Sequence, residues 1–173
     1  MKSRTPIKAR YWYGDTNVLE VTIPGKGVYH FENLVLDLNG TITLDGVLIE
    51  GVAERLQTLG TKLRIFILTA DTLGKGQELA DSLGLEMKKL APGNEHIRKR
   101  EAVREAGSEQ TIAFGNGAND ALMLREAALG ICVLGREGTS GETVRECDVL
   151  VPDINAALDL LIKPERLIAT LRY

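Results

Sequence analysis

From residue 33 onward, short apolar runs alternate along the chain with stretches of helical periodicity. The apolar runs predict buried strands at residues 34–38, 65–68, around 85, 112–114 and 130–134. The periodic stretches predict helices at 51–60, 73–83, 94–106, 119–127 and 153–162. Alternating strands and helices are typical of a parallel sheet whose right-handed crossovers place helices on both faces. We therefore predict a three-layer α/β protein.

Two hairpins are predicted outside this pattern. Residues 18–31 contain two stretches of alternating polar and apolar residues around a Pro24-Gly25-Lys26-Gly27 turn, which predicts an N-terminal β-hairpin. Residues 42–49 have Asp45-Gly46 at their centre and predict a short hairpin flap. No repeat or linker interrupts the chain, so we predict one domain over residues 1–173, with a β extension at 1–32 and a core at 33–172.

Charge and composition narrow the classes of function. The chain has 21 Lys and Arg against 24 Asp and Glu, a net charge of −3, so we expect no general attraction to nucleic acid or to a membrane surface. No apolar run approaches the roughly 20 residues that span a bilayer. The N-terminus lacks the apolar stretch of a secretory signal, so we expect a cytoplasmic protein. Cys132 and Cys147 are expected to be buried thiols rather than a disulfide.

Polar residues follow several predicted strands, where ligands of open parallel sheets bind. The first such segment is Leu34-Val-Leu-Asp37-Leu-Asn39-Gly40-Thr41, in which a buried strand runs directly into a carboxylate and a turn. An aspartate in this position can attack phosphorus and form an acyl phosphate. The alternative is that Asp37 only ends the strand and that Asn39-Gly40 only turns the chain.

Two further segments offer a hydroxyl group and a cation. Thr69 ends the predicted strand at 65–68 and could donate a hydrogen bond to a phosphoryl oxygen, whereas Asp71 and Thr72 are better explained as caps of the next helix. The predicted helix at 94–106 carries Lys99, which could neutralise a nucleophile and a phosphoryl group. Other basic residues compete for this role: Lys88, Lys89, Arg98 and Arg100.

The last segment is Ile112-Ala-Phe-Gly115-Asn116-Gly117-Ala-Asn119-Asp120, a strand followed by a glycine-rich turn. Asn116 and Asp120 offer oxygen atoms, which are the ligands that Mg²⁺ prefers in proteins. The alternative is a simple turn in which Asn119 caps the next helix and Asp120 has no special function.

In order and spacing, these segments resemble the motifs of the haloacid dehalogenase superfamily: Asp-x-Asp-x-Thr, a Thr or Ser, a Lys, and Gly-Asp-Gly-x-Asn-Asp. Within it, the chain is similar to soluble proteins that resemble the phosphorylation domain of P-type ATPases. Four stretches suggest this subgroup: Asp37-Leu-Asn-Gly-Thr41, Thr69-Ala-Asp-Thr72, Gly115-Asn-Gly-Ala-Asn-Asp120 and Leu167-Ile-Ala-Thr-Leu-Arg172. The resemblance covers residues 33–172 and implies a Rossmann-like core.

The resemblance also implies a function for each matching residue. Lys99 is expected to orient Asp37, and we prefer it to Lys88 and Lys89 because it lies eight residues before Gly107 on the helix leading to the last motif. The implied catalytic residues are Asp37, Asn39, Thr69 and Lys99. The implied phosphate-binding residues are Gly40, Thr69, Ala70 and Lys99. The implied Mg²⁺ ligands are Asp37, Asn39 through its backbone carbonyl, Asn116 and Asp120.

Two positions depart from the superfamily pattern. Asn39 stands where the phosphatases have an aspartate that protonates the leaving group and later activates water, and an amide does neither. General acid and base assistance is typically worth about 10² to 10⁴ in rate, so we expect slow turnover. P-type ATPases lack the same aspartate, which implies a longer-lived aspartyl phosphate. Asn116 replaces a directly ligating aspartate, which should weaken Mg²⁺ binding.

The motif spacing leaves no room for an inserted cap domain, since 31 residues separate Asp37 from Thr69 and 29 separate Thr69 from Lys99. Water must then be excluded by the flap, by the N-terminal hairpin, by a neighbouring subunit of a homo-oligomer or by the substrate. The expected partner is a phosphorylated small molecule or macromolecule.

Three functions compete at this point. The leading hypothesis is a slow Mg²⁺-dependent phosphatase that forms an aspartyl phosphate at Asp37. The second is a phosphate-binding or regulatory module that keeps the pocket without catalysis. The third is an interaction domain that binds a partner through Tyr11, Trp12 and Tyr13.

Overall fold

The computed structural model describes residues 18–70 and 75–173. The three aromatic residues at 11–13, the proposed caps at 71 and 72 and the first residues of the helix predicted at 73–83 lie outside this part of the chain. The strands are β1 (Leu19–Ile23), β2 (Gly27–Phe31), β3 (Asn33–Asp37), β4 (Thr43–Leu44), β5 (Val47–Leu48), β6 (Arg64–Thr69), β7 (Glu86–Lys89), β8 (Thr111–Gly115), β9 (Leu129–Val133) and β10 (Val149–Val151). The helices are α1 (Val52–Leu59), α2 (Lys75–Leu83), α3 (Glu95–Ala106), α4 (Ala121–Glu126), α5 (Gly141–Glu146), α6 (Ile154–Ile162) and α7 (Pro164–Leu171).

A six-stranded sheet forms the centre of the molecule. Its strand order is β10-β9-β8-β3-β6-β7, and every neighbouring pair is parallel. The chain therefore adds β6 and β7 on one side of β3 and then crosses back to add β8, β9 and β10 on the other. This order makes the gap between β3 and β8 the point where the direction of winding changes, which is where ligands bind in such sheets.

Side chains alternate between the two faces of the sheet. On β3, Leu34 and Leu36 pack on the side of α1, α6 and α7, whereas Val35 packs on the side of α3 and α4. The same alternation places Ile67 on the first face and Phe66 on the second. Because strands covered on both faces are apolar throughout, these short runs are recognisable in the sequence. The predicted three-layer Rossmann-like fold is confirmed.

Several elements were not predicted from the pattern. β10 has only three residues, and α5 has six residues of the sequence Gly-Glu-Thr-Val-Arg-Glu, so neither is long enough to establish a repeating pattern. α7 starts at Pro164, a residue that suits the first helical position because its missing N–H would have no partner there. The helix predicted from 119 begins at Ala121, since residues 118–120 form a short 3₁₀ turn.

Both predicted hairpins are present, at opposite ends of the sheet. β4 and β5 pair in the flap close behind β3, beside its carboxyl end. β1 and β2 pair at the amino end, where Glu32 N donates to Gln110 O and Glu32 O accepts from Arg64 N. Of the four alternatives for excluding water from the site, the N-terminal hairpin is therefore disfavoured for its described residues, because they lie at the amino end of the sheet.

The two cysteines are free thiols, as expected from the sequence. Burial raises the pKa of Cys132 to about 12 and also raises the pKa of Cys147. Within residues 18–70 and 75–173, no helix has the length and apolar character needed to cross a bilayer.

Candidate active site

Asp37 is the last residue of β3, the strand beside the change in winding direction. Its backbone pairs in register with Leu68 of β6, and its predecessor Leu36 pairs with Phe114 of β8. The carboxyl ends of β3, β6 and β8 therefore lie side by side at the same end of the sheet. Thr69 and Asn116, each at or just after a strand end, are brought to the same edge by this register. The predicted convergence of distant segments is observed.

A buried lysine joins the two predicted aspartates. Lys99 Nζ donates to Asp37 Oδ1 and to Asp120 Oδ1, at 2.6 Å in both cases. Lys99 is 1% exposed and Asp120 is 0% exposed. Lys99 occupies the inward face of α3 together with Ala102 and Val103, at helical spacings of three and four residues. The sequence segments around 37, 99 and 120 thus form one hydrogen-bonded triad.

The other basic residues considered for this role point elsewhere. Lys88 pairs with Glu105, and Arg98 Nε donates to the carbonyl oxygen of Gly93. Arg100 pairs with Glu101, and Lys89 is exposed at the end of β7. Lys99 is therefore the one of the five that contacts Asp37.

Asp120 uses both of its carboxylate oxygens within the protein. Oδ1 accepts from Lys99, and Oδ2 accepts from the backbone N–H groups of Asn116 and Gly117, at 3.0 Å and 2.9 Å. A side chain at position 115 would collide with it, because a Cβ on Gly115 would lie 2.5 Å from the Asp120 side chain. Asp120 therefore fixes Lys99 and the turn rather than offering a free oxygen, which disfavours its predicted function as a direct metal ligand.

The alternative in which Asn119 caps a helix is not observed. α4 begins at Ala121, and the side chain of Asn119 instead donates to Glu95 Oε2 at 3.2 Å. The glycine-rich turn is thus organised around Asp120, as the motif implies.

The charges of the triad shift the acidity of its members. Burial and the neighbouring Asp120 carboxylate raise the pKa of Asp37 to about 6, although Lys99 and Thr41 act in the opposite direction. Burial alone would lower the pKa of Lys99, but the two carboxylates outweigh it and raise that pKa above its usual value. Lys99 is therefore a permanent cation near neutral pH, and Asp37 is ionised above about pH 6. The ionised carboxylate is the form that can attack phosphorus.

The second oxygen of Asp37 lies beside the amide of Asn116. The hydroxyl of Thr41 is 3.1 Å from Asp37 Oδ2 and 3.0 Å from Asn116 Oδ1. The orientation of the Asn116 amide is set by its Nδ2, which donates to Gly138 O at 3.0 Å. One hydroxyl has one proton, so it can satisfy only one of these two oxygens at a time. The arrangement has more acceptors than donors and is suited to a cation.

The oxygen atoms at this point fit a hard divalent ion. Asp37, Asn116 and the backbone carbonyl of Asn39 would hold Mg²⁺, with water and substrate oxygens supplying the other positions of an octahedron. Among the described residues, no group of three or more His, Cys, Asp and Glu side chains is arranged to hold a metal. Of the three ligands named here, only Asp37 would supply a carboxylate, and weak Mg²⁺ binding stays a prediction.

The remaining predicted residues separate into two groups. Asn39 is exposed, and it lines a cavity of about 660 Å³ together with Asp37, Thr69 and Ala70. Gly40 does not: its N–H donates to Thr43 O inside the turn, at 3.1 Å. The prediction that Gly40 binds phosphate is therefore corrected, because its only backbone donor is used to close the turn.

Sequence reasoning missed several residues at the cavity. Glu95, Lys75 and Glu137 line it, and Glu137 Oε1 accepts from the backbone N–H of Asp45 in the flap at 2.8 Å. Glu137 follows β9, whose carboxyl end reaches the same edge as β3 and β8. That position was the signal that could have identified it.

A second cavity, of about 600 Å³, lies near the amino ends of β6 and β7 and is lined by residues such as Leu56, Leu63 and Leu83. It contains none of the predicted site residues. The two cavities are similar in size, so the residues that line them locate the candidate active site, at the carboxyl ends of the strands.

The sequence was compared with families and with individual proteins. No family model matches the chain. An uncharacterised protein of Methanocaldococcus jannaschii is 48% identical over 84 residues, which are 46% of this chain and 90% of that protein. A soluble P-type ATPase-like phosphatase of the same organism is 28% identical over 128 residues, which are 71% of this chain and 46% of that protein.

Solved structures give the same answer for the fold. A 3-deoxy-D-manno-octulosonate 8-phosphate phosphatase from Moraxella catarrhalis, in complex with magnesium and phosphate, superimposes with a TM-score of 0.59 at 16% identity, over 82% of this chain and 94% of that one. A haloacid dehalogenase superfamily hydrolase from Legionella pneumophila superimposes with a TM-score of 0.60 at 14% identity, over 82% and 87%. The chain therefore has the fold of haloacid dehalogenase superfamily hydrolases. Its sequence is similar to that of a soluble P-type ATPase-like phosphatase, as the motifs predicted.

Proposed function

We propose that this haloacid dehalogenase-like protein is a Mg²⁺-dependent phosphatase that forms an aspartyl phosphate at Asp37. One observation carries the proposal: Lys99, buried and permanently charged, donates to Asp37 and is held in place by Asp120. A lysine fixed in this way orients a carboxylate and offsets negative charge where a phosphoryl group would approach. A strand-ending aspartate without catalytic function would not require a buried cation.

Asp37 acts first as the nucleophile. A carboxylate oxygen attacks phosphorus, the bond from phosphorus to the substrate oxygen breaks, and an acyl phosphate forms on Asp37. Water then attacks phosphorus, the bond to Asp37 breaks, and inorganic phosphate leaves. When bound, Mg²⁺ would neutralise charge on the phosphoryl oxygens. Thr69 and Ala70, at the end of β6, line the cavity on the side where a phosphoryl group would be bound.

Asn39 limits the rate of both steps. Its exposed side chain faces the cavity and can donate a hydrogen bond to the leaving oxygen, but an amide transfers no proton. The leaving group and the attacking water therefore exchange protons with solvent, and we expect turnover to be about 10² to 10⁴ slower than with a carboxylic acid there.

Hydrolysis of p-nitrophenyl phosphate by the wild-type protein and by Asp37→Asn, each with and without Mg²⁺, tests this function. We expect activity only for the wild type with Mg²⁺. Asp81→Asn, an exposed residue of α2, is the matched control and should retain the wild-type rate. Equal rates for wild type and Asp37→Asn would contradict the proposal.

A non-catalytic phosphate-binding module is the second candidate, favoured by the amides at both Asn39 and Asn116. Such a module would bind a beryllium fluoride mimic of the phosphoryl group in calorimetry with Mg²⁺ while hydrolysing no ester. Binding accompanied by hydrolysis would exclude this candidate, and the absence of both would exclude the two candidates together.

A further inference from the structure

Glu137 connects two segments that are far apart in the sequence. It lies in the loop 134–140 after β9, and its Oε1 accepts a hydrogen bond of 2.8 Å from the backbone N–H of Asp45 at the turn of the flap. The two residues are 92 positions apart. A bond from an N–H group to a carboxylate is stronger than one between neutral groups. The flap, which consists of β4, β5 and their turn, is therefore tied to the opposite side of the cavity.

The same loop is tied to the active site. Asn116 Nδ2 donates to Gly138 O at 3.0 Å, and Ser140 N donates to Asn116 O at 2.9 Å. These bonds fix Asn116, whose Oδ1 lies next to the Thr41 hydroxyl that also contacts Asp37. The loop 134–140 thus holds Asn116 at one point and the flap at another.

Gly40 allows this close packing. A Cβ at Gly40 would lie 2.6 Å from Asn116 Nδ2 and 3.1 Å from Glu137 Oε2, so these two atoms are at most 5.7 Å apart. Gly40 also has a φ of +78°, which disfavours any other residue. The carboxylate of Glu137 therefore lies directly over the turn that follows the nucleophile, and its position is set by Asp45.

We propose that Glu137 is a positioning residue that holds the flap over Asp37 and couples the flap to the orientation of Asn116. It acts through the hydrogen bond that its side-chain oxygen accepts from Asp45. Glutamine keeps an acceptor oxygen at the same place, so it largely preserves this function, with a somewhat weaker bond. Within residues 18–70 and 75–173 no cap domain covers the cavity, so among these residues the flap is the element that limits access of water and substrate. The kinetic part of the inference rests on the proposed phosphatase function, whereas the structural part does not.

Hydrogen exchange at the amide of Asp45, measured by NMR on the full chain, tests the structural part directly. We expect Glu137→Ala to accelerate this exchange about tenfold, as loss of a hydrogen bond worth about 1.4 kcal/mol implies, and Glu137→Gln to leave it within threefold of wild type. The side-chain amide resonances of Asn116 should shift in Glu137→Ala and remain in Glu137→Gln. Glu142→Ala, an exposed carboxylate of α5, is the control.

Steady-state kinetics on p-nitrophenyl phosphate with Mg²⁺ supply the second readout. We expect Glu137→Ala to raise KM about tenfold with kcat within threefold of wild type, and Glu137→Gln to restore the wild-type KM. Unchanged exchange at Asp45 in Glu137→Ala would overturn the proposal, as would a glutamine variant that behaves like alanine. A wild-type protein with no phosphatase activity would contradict the proposed function alone, and the exchange measurement would still decide the position of the flap.

Discussion

The triad of Asp37, Lys99 and Asp120 and the contact between Glu137 and Asp45 use the same kind of bond in opposite surroundings. Each has a carboxylate accepting from a nitrogen, at 2.6 Å in the triad and 2.8 Å at the flap. Lys99 and Asp120 are almost fully buried, whereas Glu137 and Asp45 are exposed. Water can replace a lost partner at the flap but not in the triad. This difference in burial means that folding fixes the charges of the triad, whereas the flap can open with only a small increase in free energy.

This difference determines what a substitution should do. Removing one member of a buried charged group leaves a charge without a partner and typically costs about 3 to 5 kcal/mol. Removing one side of an exposed bond costs about 1 kcal/mol. Substitutions in the triad should therefore strongly affect both stability and catalysis, and those at the flap should affect mainly substrate access, with a small loss of stability.

The largest effect is expected from breaking the triad. Lys99→Met keeps the length of the side chain but leaves Asp37 and Asp120 as two neighbouring buried carboxylates. We expect the free energy of unfolding to fall by about 3 to 5 kcal/mol and phosphatase activity to disappear. Urea denaturation measures the first and ester hydrolysis the second. Lys89→Met, on an exposed residue of β7, should change neither, and a Lys99→Met protein as stable as wild type would show that the triad is not a buried charged group.

A gain of function is expected at Asn39, in the turn that links Asp37 to the flap. Asn39→Asp places a carboxylic acid where the cavity is open to water, so the leaving group can receive a proton directly. We expect kcat to rise by about 10² or more with little change in stability, because residue 39 is exposed. The pH profile of kcat should gain a limb absent from wild type. An unchanged kcat would mean that proton transfer does not limit the reaction.

A smaller effect is expected at Asn116, which contacts Asp120 of the triad and the loop 134–140 that carries Glu137. Asn116→Asp adds a negative charge beside Asp37 and removes the donor to Gly138. We expect a lower Tm without Mg²⁺ and a Mg²⁺ midpoint about tenfold lower than wild type, since a second carboxylate joins the metal site. Thermal unfolding at a series of Mg²⁺ concentrations measures both. Asn119→Asp should show no such gain, and a tenfold gain there as well would point to general charge rather than to a specific ligand.

The sequence was most informative where burial restricts the choice of residues. Strands such as β3 and β8, covered on both faces, leave continuous apolar runs, and the parallel order then requires Asp37 and Asn116 to meet. Lys99 could be selected only through its place in a motif, because a buried lysine on a charged helix looks like its exposed neighbours. Its burial follows from carboxylates that the chain supplies 62 and 21 positions away.

The sequence was least informative about polar contacts that depend on backbone geometry. Asp120 resembled a metal ligand, but the tight turn at Gly115 directs its second oxygen to backbone N–H groups. Glu137 lies in a loop with no periodicity, and its partner is a backbone N–H that no residue type reveals. Short elements such as β10 were missed because three residues do not establish a period.

Trapping of the covalent intermediate tests the central claim most directly. The wild-type protein is mixed briefly with p-nitrophenyl phosphate and Mg²⁺, quenched in acid and reduced with borohydride, which converts an aspartyl phosphate to homoserine, and its peptides are then analysed by mass spectrometry. We predict homoserine at position 37 in the wild type and no modified residue in Asp37→Asn. Hydrolysis of the ester by the wild type with Asp37 unmodified at every quench time would contradict the account.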